Sequence, residues 1–527
     1  MTNTFPILSI LTFVPLIGGI VVVGLKDAKT ARRLALMFSF GTLALALVLW
    51  KTFDPNAGGI QLTEKFNWIP SLGVQYFVGV DGLGLLMVLL TAIITPMALL
   101  ASKNVTERVE LYYALMLFLQ AGLMGTFTAL NFFHWFIFWE LSLVPAFFLV
   151  RLWGGSHRAA AATQFFVYTM VGSVAMLLSF LGIFLVTKTA TEPGIFDFPG
   201  LAALAQNGGL AQAISANFTS TLFGHVFTAH QMCLLIFGGV LLGFAVKVPL
   251  MPFHTWLPST YAEAPSPVTM MLTGVMSKMG MYGFIRILLP IFPAEVHALR
   301  TPLLVLAIVT IVFSACAAFA QKDIKRMLAY SSINHLGYCL LGVFAVATAG
   351  KNVFGVDVEK AAALNGVFLQ MFNHGLTAAT LFLFVSFLEQ RSGGLRGLND
   401  FGGLRKVAPV LCGLMGIALF SSLGLPGLNG FVGEFLIFKG VFPLAMCSAA
   451  LSVIGLLVTA IFILTLLQRV FNGPLNAQWA KLPDLTLRER ALVAVPIALM
   501  FVLGVYPQLM LGAINSTVAR MVEQLNS

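Results

Sequence analysis

The stretch from Phe244 to Gly280 reads "FAVKVPLMPFHTWLPSTYAEAPSPVTMMLTGVMSKMG" and sets two lysines, Lys247 and Lys278, among strongly apolar residues. A lysine at the centre of a membrane-spanning helix costs roughly 2.5–3.5 kcal/mol on insertion scales. Several prolines follow the first lysine, and each removes a backbone donor, so the helix that carries Lys247 must break there. The stretch therefore predicts a membrane protein that holds charged groups beside an interrupted helix.

The composition supports this class. Of the 527 residues, 59% are hydrophobic and only 9% are charged, whereas soluble proteins have about 25% charged residues. Apolar segments of about 17–25 residues bounded by charged or Pro/Gly-rich segments predict membrane spans. We expect an all-α polytopic membrane protein with about fourteen transmembrane helices, at 5–25, 34–50, 78–101, 111–130, 132–150, 163–187, 231–250, 265–291, 301–321, 328–348, 362–388, 407–430, 446–468 and 490–513.

The basic residues predict the orientation. The loops after odd-numbered spans hold 19 of the 30 lysines and arginines, and the other loops and tails hold 7. Because cytoplasmic loops carry the excess of basic residues, we expect both termini on the non-cytoplasmic side of a bacterial inner membrane. The same asymmetry explains the net charge of +10 without a nucleic-acid partner.

Seven ionisable residues at predicted membrane depth are candidate functional residues: Glu140, Lys247, His254, Lys278, His335, His374 and Glu434. Charged side chains inside a membrane usually face an interior cavity and mark ion or proton paths. Each histidine taken singly also fits a hydrogen-bonded packing residue, but four buried charges are harder to explain by packing. Burial disfavours a charge and a nearby opposite charge restores it, so the set predicts a proton path.

Other polar groups fit structural roles. Asp81 is placed to cap the start of a helix, and Arg286 near a span end is interpreted as an interface anchor. The five cysteines have no CxxC spacing and predict no metal or cluster site.

A second predicted break, "SLGLPGLNGFVGE", ends at Glu434. Glu140 precedes His335 by 195 residues, and Lys247 precedes Glu434 by 187 residues. Interrupted helices at matching positions in two halves of a transporter point to its ion path. We predict N-terminal helices over 1–110, a first five-helix repeat over 111–291, an inverted second repeat over 301–468, and a last helix and tail over 469–527.

Several stretches resemble the antiporter-like, proton-translocating subunits of respiratory complex I, and the likeness extends over nearly the whole chain. They include "FAVKVPLMPFHTWLP", "KMGMYGFIR", "QKDIKRMLAYSSINHLGY", "GLPGLNGFVGEF" and "RVFNGPLN". The resemblance implies fourteen helices with inverted repeats, and protons moved when quinone reduction elsewhere in the complex drives them. Glu434 stands where the M-type branch has glutamate and the L-type, N-type and antiporter subunits typically have lysine. Asn334 departs from the small residue expected there.

The resemblance also implies roles for the candidate residues. Glu140 and Lys247 match the family's charge pair, and Lys278 matches its central lysine. Glu434 matches its terminal acid, and the three histidines fall on its polar axis. The chain has no redox motif, so a non-redox subunit is expected, with NADH, FMN, iron–sulfur clusters and quinone in partner subunits. The expected partners are the other membrane subunits, among them the L- and N-type chains, and phospholipids.

Two alternatives stay open at this point. A subunit of a multisubunit sodium/proton antiporter predicts cation-dependent growth phenotypes and no co-purifying flavin or iron–sulfur proteins. A structural membrane spacer predicts that the buried charges only lock helices together, so their substitution would abolish assembly instead of coupling.

Overall fold

The computed structural model describes residues 5–189, 193–217, 221–222, 225–226, 228–347 and 355–526. Its α-helices are α1 (Ile7–Val23), α2 (Ala28–Thr52), α3 (Gly82–Ala101), α4 (Val109–Thr128), α5 (Phe132–Trp153), α6 (Arg158–Thr187), α7 (Phe198–Gln206), α8 (Gly209–Asn217), α9 (Ala229–Lys247), α10 (Trp256–Glu263), α11 (Ser266–Met271), α12 (Lys278–Gly283), α13 (Leu289–Ile291), α14 (Pro293–Ala298), α15 (Arg300–Phe319), α16 (Ile324–Val346), α17 (Val356–Ser392), α18 (Pro409–Leu423), α19 (Asn429–Leu444), α20 (Met446–Val470), α21 (Leu487–Val505) and α22 (Gln508–Asn526). The strands are β1 (Gln61–Ile69), β2 (Val74–Val80), β3 (Thr221–Leu222) and β4 (His225–Val226).

The polytopic helical class is confirmed. Nine of the described helices are long and apolar enough to cross a membrane, or ten if the bent pair α21 and α22 counts as one span. The other predicted spans are helical too, but α1 and α18 have only 17 and 15 residues, α16 begins with charged residues, and the span at 265–291 is divided. The grouping into two inverted repeats stays a prediction.

Both predicted interruptions are present. The helix α9 ends at Lys247, and the chain resumes as the short helix α10 only at Trp256. The helix α18 ends at Leu423, because the next residue, Gly424, has a φ of 80° in the left-handed region. The helix α19 begins at Asn429. The second interrupted helix is longer than predicted, since α19 extends to Leu444 and not to residue 430.

The predicted span 265–291 is divided by two π-helical turns, Leu272–Met276 and Phe284–Leu288. In the first, the amide of Ser277 donates to the carbonyl of Leu272 at 3.0 Å, one residue further back than in an α-helix. Single π turns inside helices are frequent at functional sites. Lys278 follows the first π turn, and Arg286 lies within the second.

Two local predictions were wrong. The span 490–513 ends early, because α21 stops at Val505 and α22 leaves it at 64°. Pro507 between them cannot continue the helical hydrogen bonding. The span 78–101 begins late, because Val74–Val80 forms an antiparallel hairpin with Gln61–Ile69, which the sequence analysis missed.

The loops that follow odd-numbered spans gather at one end of the helices. The indole nitrogen of Trp153 donates to the carbonyl of Glu107 at 2.9 Å, which joins the loops after α5 and α3. The amide of Leu398 donates to the carbonyl of Lys322 at 2.8 Å, which joins the loops after α17 and α15. Since these loops hold most of the lysines and arginines, we call this end the basic face.

The hairpin and α22 lie at the other end, which we call the opposite face. The amide of Leu130 after α4 donates to the carbonyl of Phe77 in β2 at 2.8 Å. The amide of Gly82, at the start of α3, donates to Thr517 Oγ1 of α22 at 3.0 Å. Alternation of the loops between two faces therefore agrees with the sequence, and the membrane side of each face stays a prediction.

Candidate functional site: a row of buried ionisable residues

Lys278 is fully buried, and three acceptors surround its ammonium nitrogen. The Nζ donates to the carbonyl of Thr273, lies 3.3 Å from Ser277 Oγ, and lies 2.8 Å from His374 Nδ1. The carbonyl of Thr273 belongs to the first π turn, so the irregular backbone supplies an acceptor beside the charge. The sequence thus places this lysine where a buried ammonium group keeps its hydrogen bonds.

His374 of α17 joins Lys278 to His335 of α16. The centroids of the two imidazole rings are 5.2 Å apart, and both side chains are buried. The Nδ1 of His374 accepts from Lys278 when the lysine is an ammonium ion, which places the ring proton of a neutral His374 on Nε2.

His335 has a partner at each ring nitrogen. Its Nδ1 lies 2.8 Å from Glu434 Oε1, and its Nε2 lies 3.1 Å from Ser422 Oγ. A neutral ring satisfies both contacts when Nδ1–H donates to the carboxylate and Nε2 accepts from the hydroxyl. The four residues Lys278, His374, His335 and Glu434 therefore form a row of adjacent titratable groups across four helices.

Glu434 lies in the second turn of α19, close to the interruption before that helix. Its Oε1 also accepts from Gln370 Nε2 at 3.0 Å. Helices α17 and α19 approach closely because of glycines: a Cβ on Gly433 would lie 2.9 Å from the amide nitrogen of Gln370. The glycine-rich sequence around the break is thus what brings the carboxylate to α17.

Lys247 is the last residue of α9, and its buried Nζ has no hydrogen-bond partner among the described residues. The ammonium group lies 5.1 Å from the centroid of the Trp139 ring, a cation–π contact. Glu140, next to that tryptophan, is half-buried, and its Oε1 has no hydrogen-bond partner either. Among the described residues, no ion pair joins Glu140 and Lys247. We therefore call the implied Glu140–Lys247 pair open, meaning that the two charges are near each other without direct contact.

The segment that carries Lys278 packs directly onto the end of α9. A Cβ on Gly280 would lie 3.0 Å from the carbonyl of Phe244, and one on Gly283 would lie 2.3 Å from the ring of Phe244. Since these glycines leave no side chain in the way, they bring the two lysine-bearing helices together.

His254 lies apart from the row. Its ring contacts Phe313 at 5.9 Å and Tyr330 at 6.5 Å between centroids. Its buried Nδ1 has no hydrogen-bond partner in the described ranges. His254 follows Lys247 by seven residues, and the chain between them is not helical, so the two side chains do not share a helix face. Its role in the path stays a prediction.

Several polar residues of the site were not predicted from the sequence. Gln370 precedes His374 by one helical turn in "LQMFNHG", so helical spacing was a usable signal. Ser422 and Ser277 carried no such signal, because serine is common in membrane helices. Arg286 does not reach the interface as expected: it forms a buried ion pair with Asp81, which also caps α3 as predicted.

Two protein families match this sequence, and the region that matches one of them includes the whole site. Residues 129–462 match the family described as NADH:quinone oxidoreductase/Mrp antiporter, TM. Residues 10–126 match the family described as NADH-ubiquinone oxidoreductase chain 4, amino terminus. All seven candidate residues lie within the first of these regions.

Similar full-length proteins agree with these matches. NADH-quinone oxidoreductase subunit M of Rhodobacter capsulatus is 35% identical over 530 residues, which cover 99% of this chain and 97% of that protein. A chain of respiratory complex I from Thermus thermophilus with bound NADH is similar with a TM-score of 0.82 and 27% identity, covering 98% of this chain and 99% of that chain.

The Mrp complex of a Dietzia species also has a similar chain, with a TM-score of 0.77 and 20% identity, covering 99% of this chain and all of that chain. A likeness at this identity shows the fold alone. The relatives at higher identity carry the assignment, and the chain belongs to the family of NADH–quinone oxidoreductase subunit M, also named chain 4.

Proposed function

We propose that this chain is a proton-translocating membrane subunit of an NADH–quinone oxidoreductase, complex I, and that protons move along the row from Lys278 to Glu434. The observation that carries the proposal is the continuity of the row. Lys278 contacts His374 at 2.8 Å, and His335 contacts Glu434 at 2.8 Å. The two histidine rings lie side by side between these contacts.

Uptake is proposed to begin at the basic face. A cavity of about 380 Å³ there is lined by Ser266 and Glu389, among others, and the Ser266 hydroxyl donates to Glu389 Oε2 at 2.6 Å. Ser266, Thr269, Thr273 and Ser277 recur at intervals of three or four residues and are buried. Such spacing puts the hydroxyls on one face of the segment, which leads from the cavity to Lys278.

Transfer along the row needs no rearrangement of the backbone. The Lys278 ammonium group gives a proton to His374 Nδ1, and His374 gives up the proton on Nε2. His335 takes a proton on Nε2 and releases the one on Nδ1 to the Glu434 carboxylate. A water molecule can bridge the two rings, since water-mediated hydrogen bonds are nearly as favourable as direct ones.

The open pair of Glu140 and Lys247 supplies a means of control. Within the part of the chain that the structure describes, the Lys247 ammonium group has no hydrogen-bond partner, so a shift of the Glu140 carboxylate towards it or away from it changes the local field. A positive charge at Lys247 opposes a second one at Lys278, and the opposition grows when Glu140 is distant. Moving one charge against 100 mV costs about 2.3 kcal/mol, which a nearby unit charge in a membrane interior supplies readily.

The chain itself is proposed to carry no redox step. NADH, FMN, iron–sulfur clusters and quinone are assigned to partner subunits, and quinone reduction there drives the charges here. The other membrane subunits, including the L- and N-type chains, are the proposed neighbours, together with phospholipids. The proposed location is a bacterial inner membrane.

The test compares Lys278→Ala and Glu434→Gln in the assembled complex with Lys103→Ala, which changes an exposed lysine of the basic face. Inverted membrane vesicles report NADH:quinone reductase activity and proton translocation together. We expect both site variants to lower proton translocation at least about tenfold, because each removes a group that holds the proton, while the complex still assembles. The control variant retains the parental rates.

Wild-type proton-to-electron ratios in Lys278→Ala and in Glu434→Gln would refute the proposal. Failure of both variants to assemble would favour the structural spacer. Normal NADH oxidation combined with loss of sodium tolerance would favour the antiporter subunit.

A further inference from the structure

A second series of polar side chains leads from Lys278 straight to the opposite face. Tyr282 and Arg286 follow Lys278 at intervals of four residues in the segment that α12 and the second π turn form. Residues four apart lie one above the other on a helix. The series therefore points along this helix from the central lysine towards the opposite face.

A cavity of about 470 Å³ meets the end of this series. Asp81 and Arg286 lie among its lining residues, and so do the exposed residues Thr63 and Arg520 at the surface. The hairpin, the start of α3 and the helix α22 surround it. The cavity therefore extends from the opposite face to the buried ion pair.

The ion pair of Asp81 and Arg286 is held from several sides. Arg286 Nη2 contacts Asp81 Oδ2, and the side chains are 11% and 3% exposed. Asp81 Oδ1 accepts from the amide of Gly84 at 3.0 Å. The guanidinium carbon lies 5.6 Å from the centroid of the Tyr282 ring, so the cation cannot swing away without losing contacts on both sides.

Below the pair, the polar series is interrupted. The hydroxyl of Tyr282 donates its proton to the carbonyl of Phe127 at 3.2 Å. Its oxygen is also in contact with the Arg286 side chain, so the hydroxyl proton is directed to the backbone of α4 and not along the series. A guanidinium group does not lose its proton in proteins, so Arg286 cannot accept a proton and pass it on. Its fixed positive charge also repels an arriving proton, as an arginine does in proton-excluding channels.

We propose that the Asp81–Arg286 ion pair is a seal that separates Lys278 from the cavity at the opposite face. Because the route from Lys278 to the cavity at the opposite face is closed, a proton on Lys278 is transferred to His374 in the neighbouring helix α17. The inference rests on the proposed function, because a seal matters only if Lys278 carries mobile protons. Asp81 and Arg286 are positioning residues, since neither takes the proton itself.

The experiment uses the assembled complex in liposomes. Arg286→Gln removes the positive charge, and Asp81→Asn removes the partner that fixes it. An imposed pH gradient is followed without NADH, and we expect it to decay about tenfold faster in both variants. Arg286→Gln removes the cation that repels protons in a low-dielectric site. Asp81→Asn leaves the cation in place but removes the carboxylate that holds it across the way to Lys278. With NADH present, electron transfer continues and fewer protons are translocated per electron.

Glu489→Gln is the matched control. It breaks the buried ion pair of Arg391 and Glu489, whose side chains are 7% and 8% exposed and which joins α17 to α21. The control is expected to hold the gradient as the parental complex does. An equal leak in the control would mean that loosened packing is the cause, and it would overturn the seal.

A combined variant separates this inference from the proposed function. Adding Lys278→Ala to Arg286→Gln is expected to restore the slow decay, because the leak passes through the lysine. Slow decay in both single seal variants overturns the seal even if Lys278→Ala abolishes translocation. A leak that persists without Lys278 overturns it as well. If Arg286→Gln does not assemble, Asp81→Asn decides, since asparagine retains an oxygen for the Gly84 amide.

Discussion

The position of the Glu434 carboxylate depends on a glycine in the break before its helix. Gly424 has a φ of 80°, and a Cβ added to it would lie 3.0 Å from Glu434 Oε2. A left-handed backbone costs roughly 1–2 kcal/mol for a residue with a Cβ. At this one position the conformation of the break and the space for the carboxylate both require glycine.

We therefore expect Gly424→Ala to lower the temperature at which the detergent-solubilised complex loses half of its activity. The expected loss of stability is about 1–2 kcal/mol, and the crowded carboxylate should also slow proton translocation. Gly413→Ala in the same interrupted helix is the control, because a Cβ there meets nothing within 4 Å. Equal inactivation temperatures for the two variants would contradict the prediction.

The two lysines differ in a way that suits two roles. Lys278 has three acceptors for its three N–H groups, whereas the Nζ of Lys247 has a tryptophan ring and no hydrogen bond. The charge of Lys278 is thus stabilised locally, and the charge of Lys247 depends more on the distance of Glu140. This contrast is why the control step is placed at Lys247 and the transfer step at Lys278.

At the scale of elements, the segment from Ser266 to Ile291 carries most of the chemistry. The hydroxyl series lies in its first half, Lys278 lies in its middle, and Arg286 of the ion pair with Asp81 lies near its far end. The first π turn leaves the carbonyl of Thr273 to accept from both Lys278 and the Ser277 hydroxyl. An unbroken α-helix would engage that carbonyl in its own ladder, so the irregular turn is part of the site.

Thr273→Val tests the hydroxyl series. Valine keeps the shape of the side chain and removes the hydroxyl that lies 2.9 Å from Ser332 Oγ. We expect proton translocation to slow by a few-fold, on the order of the loss of one hydrogen bond of about 1 kcal/mol, with assembly unchanged. Vesicles measured in H₂O and in D₂O should show a larger isotope effect in the variant than in the parent.

Thr91→Val is the matched control for this substitution. Thr91 is fully buried in α3, and its hydroxyl donates to the carbonyl of Met87 in its own helix at 2.7 Å. Parental rates and isotope effects in Thr273→Val would remove the hydroxyl series from the path and leave the row itself unaffected.

At the scale of the whole molecule, two cavities lie at opposite faces and the row runs sideways between helices. The cavity at the basic face leads to hydroxyls, and the cavity at the opposite face ends at an ion pair. Protons that enter at the first cavity are therefore directed across α12, α17, α16 and α19 instead of directly through the bundle. Because the proposed proton path crosses from helix to helix, partner subunits that pack against the side of the bundle can change the electrostatic field along it.

The orientation of the molecule is tested with a reporter. Alkaline phosphatase fused after Ser527 should be active, because the basic face is expected in the cytoplasm and α22 lies at the opposite face. The same enzyme inserted between Gly393 and Gly394, in a loop of the basic face, should be inactive. Activity in the reverse pattern would invert the assignment of the faces and the direction of uptake.

The sequence by itself determined the class of protein, the approximate spans, both interruptions and the candidate residues. These features depend on local signals: apolar length, prolines and glycines, and rare charges within apolar runs. The boundaries of the last span and of the hairpin region were not accessible in the same way. There, the end of the second hairpin strand and a bend at Pro507 lie within sequence that is also apolar enough for a helix.

Only the tertiary structure decided which of these residues meet. Lys278 and His374 are 96 residues apart and in contact, and His335 and Glu434 are 99 apart and in contact, whereas Glu140 and Lys247 are not paired. Such contacts depend on how each helix is rotated about its axis and how closely glycines let two helices approach. Those quantities arise from packing among all the helices, so no single segment of sequence contains them.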